Sequence, residues 1–376
     1  MEVIMKVTNI NINILKEILH KMPEQKIQVK NKFPNFEKWI NGDDYPTYNQ
    51  LVELSKIFHI PFGYFFLEKL PERKYPIPHY RTAQNEDFNP SNKLLETIFF
   101  AQKIQEWAKD ILLDWGQEKL PFCGKYKDNY DIARVIEELK KIFEIEHNWA
   151  SNKSTWTEVL NYLIEKAEDK GIFVIRNGVV GNNTRRKLNV DEFRGFVLYD
   201  EIAPVVFINN NDAISAKIFT LIHEVVHILI GQSASFDLRN LQSANNEIEQ
   251  FCDKCTAEFL VPEKEIRNIH TQKKDLEELA RHFKVSQIVI LRRLLDTSLI
   301  TQQEFYNQWK KLYKIENKTT QSSGGNFYHT IYNRLGKRFL YVLNNAVKNN
   351  TILFRDALRI TNLSPKTYDN LLKSII

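Results

Sequence analysis

Between Asp212 and Gly231 the chain runs through Ala213–Ile230 without a glycine or a proline. Asp212 suits the position before a helix and Gly231 the position just after one, so the segment predicts one capped helix. Phe219, Leu221, Ile222, Val226 and Leu229 give it an apolar wall that calls for burial. Set into that wall are His223, Glu224 and His227, an H-E-x-x-H pattern. Residues i and i+4 lie one above the other on a helix, so the two imidazoles can grip one metal ion. Glu224 lies about 100° around the helix from His223, within reach of a water on that metal. Burial excludes bulk water and strengthens every electrostatic interaction there.

Zinc in catalytic sites takes three protein ligands and one water. The next helical stretch, Asn246 to Leu260 and stopped by Pro262, offers the third. Glu249 and Asp253 stand at i and i+4 on one face. We take Glu249 as the ligand and Asp253 as the acceptor for the second N–H of a ligand imidazole. Glu247, on a different face, is the competing ligand, and Glu258 lies more than two turns beyond Glu249. One zinc ion per chain is expected, with manganese less suited to two imidazoles and a carboxylate. Cys252 and Cys255, a C-x-x-C one helical turn apart, lack a partner pair at zinc-finger spacing and are expected to pack inward.

Around this helix the pattern is mixed. Trp156–Lys170 reads as a helix. Gly171–Ile175, Phe193–Tyr199 and Pro204–Ile208 read as strands. Residues 94–115 and 130–147 read as helices. Before the proline-punctuated stretch Leu70–Pro78, several short helices form a helix-turn-helix pattern, with Thr47 capping Tyr48–Phe58. A polar linker follows at Lys318–Gly325. Leu276–Leu294 is a second helix-turn-helix pattern, with Arg292 and Arg293 on its second helix as candidate DNA contacts. The tail, Phe354–Leu372, makes two short helices around Asn362-Leu-Ser-Pro365, a docking element in our reading. The expected fold class is α+β and mainly helical, with a small sheet of three or more strands beside the motif helix.

Charge supports an anionic partner for one part only. The 52 basic and 47 acidic residues give a net +5. Residues 1–75 carry +2, residues 76–265 carry −8 and residues 266–376 carry +11. The last third therefore suits nucleic acid. Three cysteines point to a reducing compartment, and no apolar run is long enough to span a membrane. The expected location is the cytoplasm, with no membrane partner and the oligomeric state open.

Together these residues resemble the ImmA/IrrE family of metallopeptidases. The resemblance rests on Glu192-Phe-Arg-Gly-Phe196, Ala203-Pro-Val-Val-Phe-Ile-Asn209, Phe219-Thr-Leu-Ile-His-Glu-Val-Val-His227, and Glu249 through Glu258-Phe-Leu-Val-Pro262. Tyr80-Arg-Thr82 and Gly324-Gly-Asn-Phe-Tyr328 are similar to segments of its long form. Residues 13–67 are similar to the Cro/repressor-type (XRE-like) helix-turn-helix often fused there, notably at Trp39-Ile-Asn-Gly42 and Tyr45–Leu51. The resemblance implies a gluzincin-like zinc peptidase core flanked by helix-turn-helix-like helical domains. It implies His223, His227 and Glu249 as metal ligands, Glu224 as catalytic, and a helix-turn-helix repressor as substrate. Two departures stand out. Cys252-Asp-Lys-Cys-Thr-Ala257 replaces the usual Ala-Asn-x-Phe-Ala-Ala, and the sequence is degenerate around residues 22–34, where the reader's second helix is usually well formed.

The expected division is residues 1–72 XRE-like, 73–125 linker and helical connector, 126–270 peptidase, 271–318 helix-turn-helix-like, and 319–376 a basic helical region. For the chemistry, Glu224 takes a proton from the attacking water and passes it to the leaving amine. Tyr199, Arg194 and Arg81 are candidates for stabilising the oxyanion. Pro204–Ile208 is the expected strand for pairing with an extended substrate. The rival reading is a DNA-binding regulator or antitoxin with a vestigial or structural metal site.

Overall fold

The computed structural model describes residues 6–21, 25–58, 60–70, 90–146, 149–232, 234–236, 247–270, 275–316 and 327–375. Contacts divide the chain into two units, Met1–Tyr75 and Pro76–Ile376.

The first unit holds α1 (Ile12–Lys21), α2 (Lys26–Lys32), α3 (Phe36–Asn41) and α4 (Tyr48–Phe58), then a 3-10 turn at Phe62–Phe66. Its core is Ile14, Leu15 and Ile18 of α1 with Val29, Phe36, Trp39, Leu51, Leu54, Phe58 and Phe65. Thr47 opens α4 as a reciprocal box: Gln50 N donates to Thr47 Oγ1 and Thr47 N donates to Gln50 Oε1. Gly42 ends α3 at φ +81 and sits close under Ile12, which is why the Trp-Ile-Asn-Gly turn carries glycine. Residues 26–32 form a seven-residue helix whose N-cap, Gln25, makes no side-chain cap.

The second unit opens with α5 (Asn92–Asp114), α6 (Ile132–Phe143) and α7 (Trp156–Asp169). The strands are β1 (Phe173–Asn177), β2 (Val179–Val180), β3 (Asn183–Lys187), β4 (Gly195–Leu198) and β5 (Val205–Asn209). Then come α8 (Ile214–Ile230), β6 (Ala234–Phe236), α9 (Glu247–Leu260), α10 (Glu263–His270), α11 (Leu276–Phe283), α12 (Gln287–Asp296) and α13 (Gln302–Glu316). The chain ends with α14 (Phe327–Leu335), α15 (Lys337–Lys348), α16 (Phe354–Thr361) and α17 (Pro365–Ile375). The protein is α+β and mainly helical. The three strands expected from sequence are present, each displaced by a residue or two. The short β2, β3 and β6 carry no period long enough to be read. No described helix is long and apolar enough to cross a membrane.

The main sheet has the order β1-β5-β4-β6, with β1 parallel to β5 and the other pairs antiparallel. Both faces are covered, so the central strands read as unbroken apolar runs instead of alternating ones. Val206 and Ile208 of β5 and Val197 of β4 enter one core with α6, α7, α8 and α9. Val205 and Phe207 of β5 and Phe196 and Leu198 of β4 enter the other, with α5 and α14–α17. Phe196 and Phe207 stack there at 4.8 Å. Helices more than two hundred residues apart in sequence thus share one face.

This order corrects one expectation. Residues 204–208 cannot add a substrate strand, because β5 is central and paired on both edges. The edges of the sheet are β1 and β6.

The α11–α12 pair is also part of the core. Leu279, Ala280, Phe283, Val285, Ile290 and Leu294 pack into the same cluster as α8. Trp156 Nε1 donates to the Val285 carbonyl at 3.3 Å and fixes the turn between the two helices.

Candidate metal centre

After an exposed first turn at Ile214, α8 is buried from Lys217 to Ile230. It runs between the sheet and α9, so its charged groups face protein on all sides. Its start differs from the sequence expectation. The N-cap is Ala213, with no side-chain cap, and Asp212 is turned away. Both Asp212 oxygens accept from Arg194 Nη1, at 3.0 and 2.8 Å. An ion pair to a guanidinium outcompetes a capping bond to a backbone amide. The other end is as expected, with Gly231 left-handed at φ +75.

His223 and His227 lie one turn apart, with ring centroids 4.9 Å from each other and the ring planes tilted by 58°. Their Nε2 atoms are 3.1 Å apart. Glu249, in the first turn of α9, brings Oε2 to 3.0 Å from His223 Nε2 and Oε1 to 3.3 Å from His227 Nε2. One ligand atom from each residue lies within 4.8 Å of the others, and all three residues are buried. In a tetrahedral site with ligands about 2.0–2.1 Å from zinc, neighbouring ligand atoms are about 3.3 Å apart. The observed spacings, 3.0 to 3.3 Å, match that figure. Two imidazole nitrogens and a carboxylate are also the donor set zinc prefers. The residues fit the ion.

Electrostatics agree. Burial disfavours a cation on His223, but Asp253 and Glu249 outweigh it and lift the imidazole to about 10. Burial likewise opposes the Glu249 carboxylate, yet His223 and His227 hold it well below the usual range. His227 is pulled down, chiefly by burial. The cluster draws a positive charge to one point. Glu224 is fully buried, and neither of its oxygens has a hydrogen-bond partner. Burial pushes its carboxyl well above the ordinary value.

The other candidates separate clearly. Asp253 is half-buried, with Oδ1 3.1 Å from His223 Nδ1. Glu247 is exposed. Glu258 pairs with Arg293 and accepts from Glu263 N at 3.2 Å. Arg194 is committed to Asp212. The Tyr199 hydroxyl packs beside Gly124 and Gly231, beyond the C-terminal end of α8. Arg81 lies outside the described residues. Cys252 and Cys255 are free and buried, as expected, and burial pushes the Cys255 thiol up to about 12.

Arg293 corrects a second expectation. It is 8% exposed, its Nε donates to the Val261 carbonyl at 2.9 Å, and its guanidinium meets Glu258. It ties α12 to the end of α9 and cannot reach a phosphate. Arg292 pairs with Asp296 one turn on, at 2.9 Å.

Sequence reasoning missed what Glu192-Phe-Arg-Gly195 does. Glu192 accepts from Ser91 N and Oγ at 2.7 and 2.8 Å, Phe193 fills the second core, and Arg194 holds Asp212. Gly195 lets β4 lie against α8. A Cβ there would come within 2.4 Å of Thr220 Cγ2, 2.8 Å of the Phe207 carbonyl and 3.3 Å of Glu224 Oε1. The signal was a glycine opening an apolar strand, the mark of close backbone approach.

No curated protein and no solved structure gives a significant match to the chain. Residues 335–374 match a domain family of unknown function. Residues 167–295 match the IrrE N-terminal-like domain of the M78 peptidases, a metallopeptidase-type family, and that stretch contains α8, α9 and every residue of the site described above.

Proposed function

We propose that the protein is a zinc-dependent endopeptidase whose substrate is a helix-turn-helix repressor, and that cleavage releases the genes the repressor silences. One observation carries the reading: His223, His227 and Glu249 converge within 4.8 Å beside the unpartnered carboxylate of Glu224. His223 and His227 would hold the ion through Nε2 and Glu249 through its carboxylate. Bound zinc supplies a Lewis acid that polarises a carbonyl and acidifies water toward a pKa of about 7.

The chain's own residues do the remaining work. Asp253 Oδ1, at ion-pair distance 3.1 Å from His223 Nδ1, would take up that proton and so leave Nε2 as the ligand atom. Glu224 accepts a proton from the attacking water, the water oxygen bonds to the scissile carbon, and the C–N bond breaks. Glu224 then delivers the proton to the departing amine. The apolar α8 wall keeps bulk water from the site. The choice of a repressor rests on the resemblance to the ImmA/IrrE family and on the small helical first unit.

The test is cleavage of purified helix-turn-helix repressors by zinc-loaded protein, read by intact mass. Wild type is expected to cut. Glu224→Gln is expected to bind one zinc per chain and lose at least about a hundredfold in rate. Glu249→Ala is expected to lose the zinc. A zinc-loaded wild type that leaves both repressors and an unstructured peptide library intact would overturn the peptidase reading. Cutting of the library without any repressor would overturn only the substrate.

A further inference from the structure

We infer that α16, α17 and the β2–β3 hairpin form a docking surface for duplex DNA. α16 and α17 are joined by a tight turn. Asn362 takes the left-handed conformation at φ 54, Ser364 caps α17 through the Thr367 amide at 3.3 Å, and Pro365 occupies its first position. The inner sides are apolar: Ala357 and Ile360 of α16 and Tyr368 and Leu371 of α17 enter the second core. Lys366 and Lys373 are exposed, seven residues apart, on the side of α17 opposite Tyr368 and Leu371. Arg355 and Arg359 are exposed one turn apart on α16. This is helix-turn-helix geometry, and the outer face of the second helix carries Lys366 and Lys373 with Asp369 between them, a net +1.

The hairpin adds a second basic element to the same place. Asn182 Nδ2 at its tip donates to the Asn362 carbonyl in the helix-turn-helix turn, at 3.2 Å. Side chains alternate along β3. Arg186 turns inward to a two-pronged pair with Glu96, both contacts at 2.8 Å. Arg185 and Lys187 therefore project to the other side, where both are exposed.

Several surface lysines of this unit are paired: Lys109 with Asp200, Lys125 with Glu138, and Lys166 and Lys170 with Glu144. Among the described residues, Arg185, Lys187, Arg359, Lys366 and Lys373 have no carboxylate partner. Arg292 and Arg293, the basic pair suggested by sequence, are both engaged. These five cations lie on the hairpin and on the two helices joined at Asn362, elements of the size that enters a major groove and its flanking phosphates.

The experiment titrates the full chain into a fluorescent mixed-sequence duplex of about three helical turns, reading anisotropy between about 50 and 200 mM salt. Wild type is expected to bind with an affinity that falls steeply with salt. The double variants Lys366→Glu with Lys373→Glu, and Arg185→Glu with Lys187→Glu, should each weaken binding at least about tenfold and flatten the salt slope by about two. Lys26→Glu with Lys30→Glu in the first unit should leave binding unchanged. All six positions are solvent-exposed or half-exposed, and circular dichroism reports that the fold is kept. Absence of salt-dependent duplex binding would overturn the inference. So would binding that survives both second-unit doubles, or that is lost only in the first-unit double. None of these readouts depends on peptide cleavage.

Discussion

His223 Nδ1 lies 3.1 Å from Asp253 Oδ1, while Nε2 of the same ring lies 3.0 Å from Glu249 Oε2. One imidazole is held at both ends by carboxylates from successive turns of a single helix. The ring therefore cannot rotate without losing a partner, and the register of α9 against α8 decides which nitrogen faces the site. An oriented ring binds a metal better than a free one, because the ordering is done beforehand.

The first prediction follows from that clamp. Asp253→Ala should weaken zinc affinity about 10–100-fold while keeping one zinc per chain at saturation. Competition against a fluorescent chelator measures it. Affinity equal to wild type would remove Asp253 from the site.

Gly195 is the point where sheet and motif helix come closest. Gly195→Ala places a methyl 2.4 Å from Thr220 Cγ2 and 2.8 Å from a backbone oxygen, so β4 or α8 must move. The expected loss is about 1–3 kcal/mol of stability, with activity reduced further because Glu224 is displaced. Urea denaturation together with zinc content distinguishes this from loss of the metal. Gly63→Ala, where φ is not positive and a Cβ meets nothing within 4 Å, is the comparison for a methyl added without crowding.

Arg293 and Arg292 are adjacent and should behave differently. Arg293→Ala strips the buried Val261 carbonyl of its donor and Glu258 of its partner, with an expected cost of about 2 kcal/mol. Arg292→Ala breaks a half-exposed pair with Asp296 and should cost less than about 0.5 kcal/mol. Thermal unfolding of the two variants decides. Equal stability, with DNA affinity lost in Arg293→Ala, would restore the reading that the structure replaces.

Glu168 makes stability depend on pH. It is buried on α7, where it accepts from Arg338 N at 3.1 Å, and burial lifts its carboxyl from 4.5 to about 7. The folded chain therefore binds this proton more tightly than the unfolded chain. The stabilisation is complete below about pH 4.5 and is lost as pH rises through about 7. Its full size is about 3 kcal/mol. Glu168→Gln keeps an acceptor for Arg338 and removes the titration. The difference between variant and wild type, from urea unfolding at pH 4 and pH 8, should shift by up to that amount in favour of the variant at pH 8. A constant difference would place the ionisation elsewhere.

The sequence by itself determined whatever depends on neighbours within a few residues. The H-E-x-x-H helix, its glycine stop, the Thr47–Gln50 box and the helical and strand periods are local, because helix and strand geometry fixes which side chains share a face. Glu249 was legible for the same reason, as one of a pair of acids one turn apart on the following helix. Only the tertiary structure decided which partners meet from afar. Glu192 bonds Ser91 across 101 residues, Arg293 reaches Val261, and Asp212 is taken from its cap by Arg194. It also decided that β5 is central, that α5 and α14–α17 share one sheet face, and that the hairpin tip meets the turn at Asn362. No local period carries such pairings, since they are selected by burying two apolar faces of one sheet at once and by satisfying the charges stranded between them.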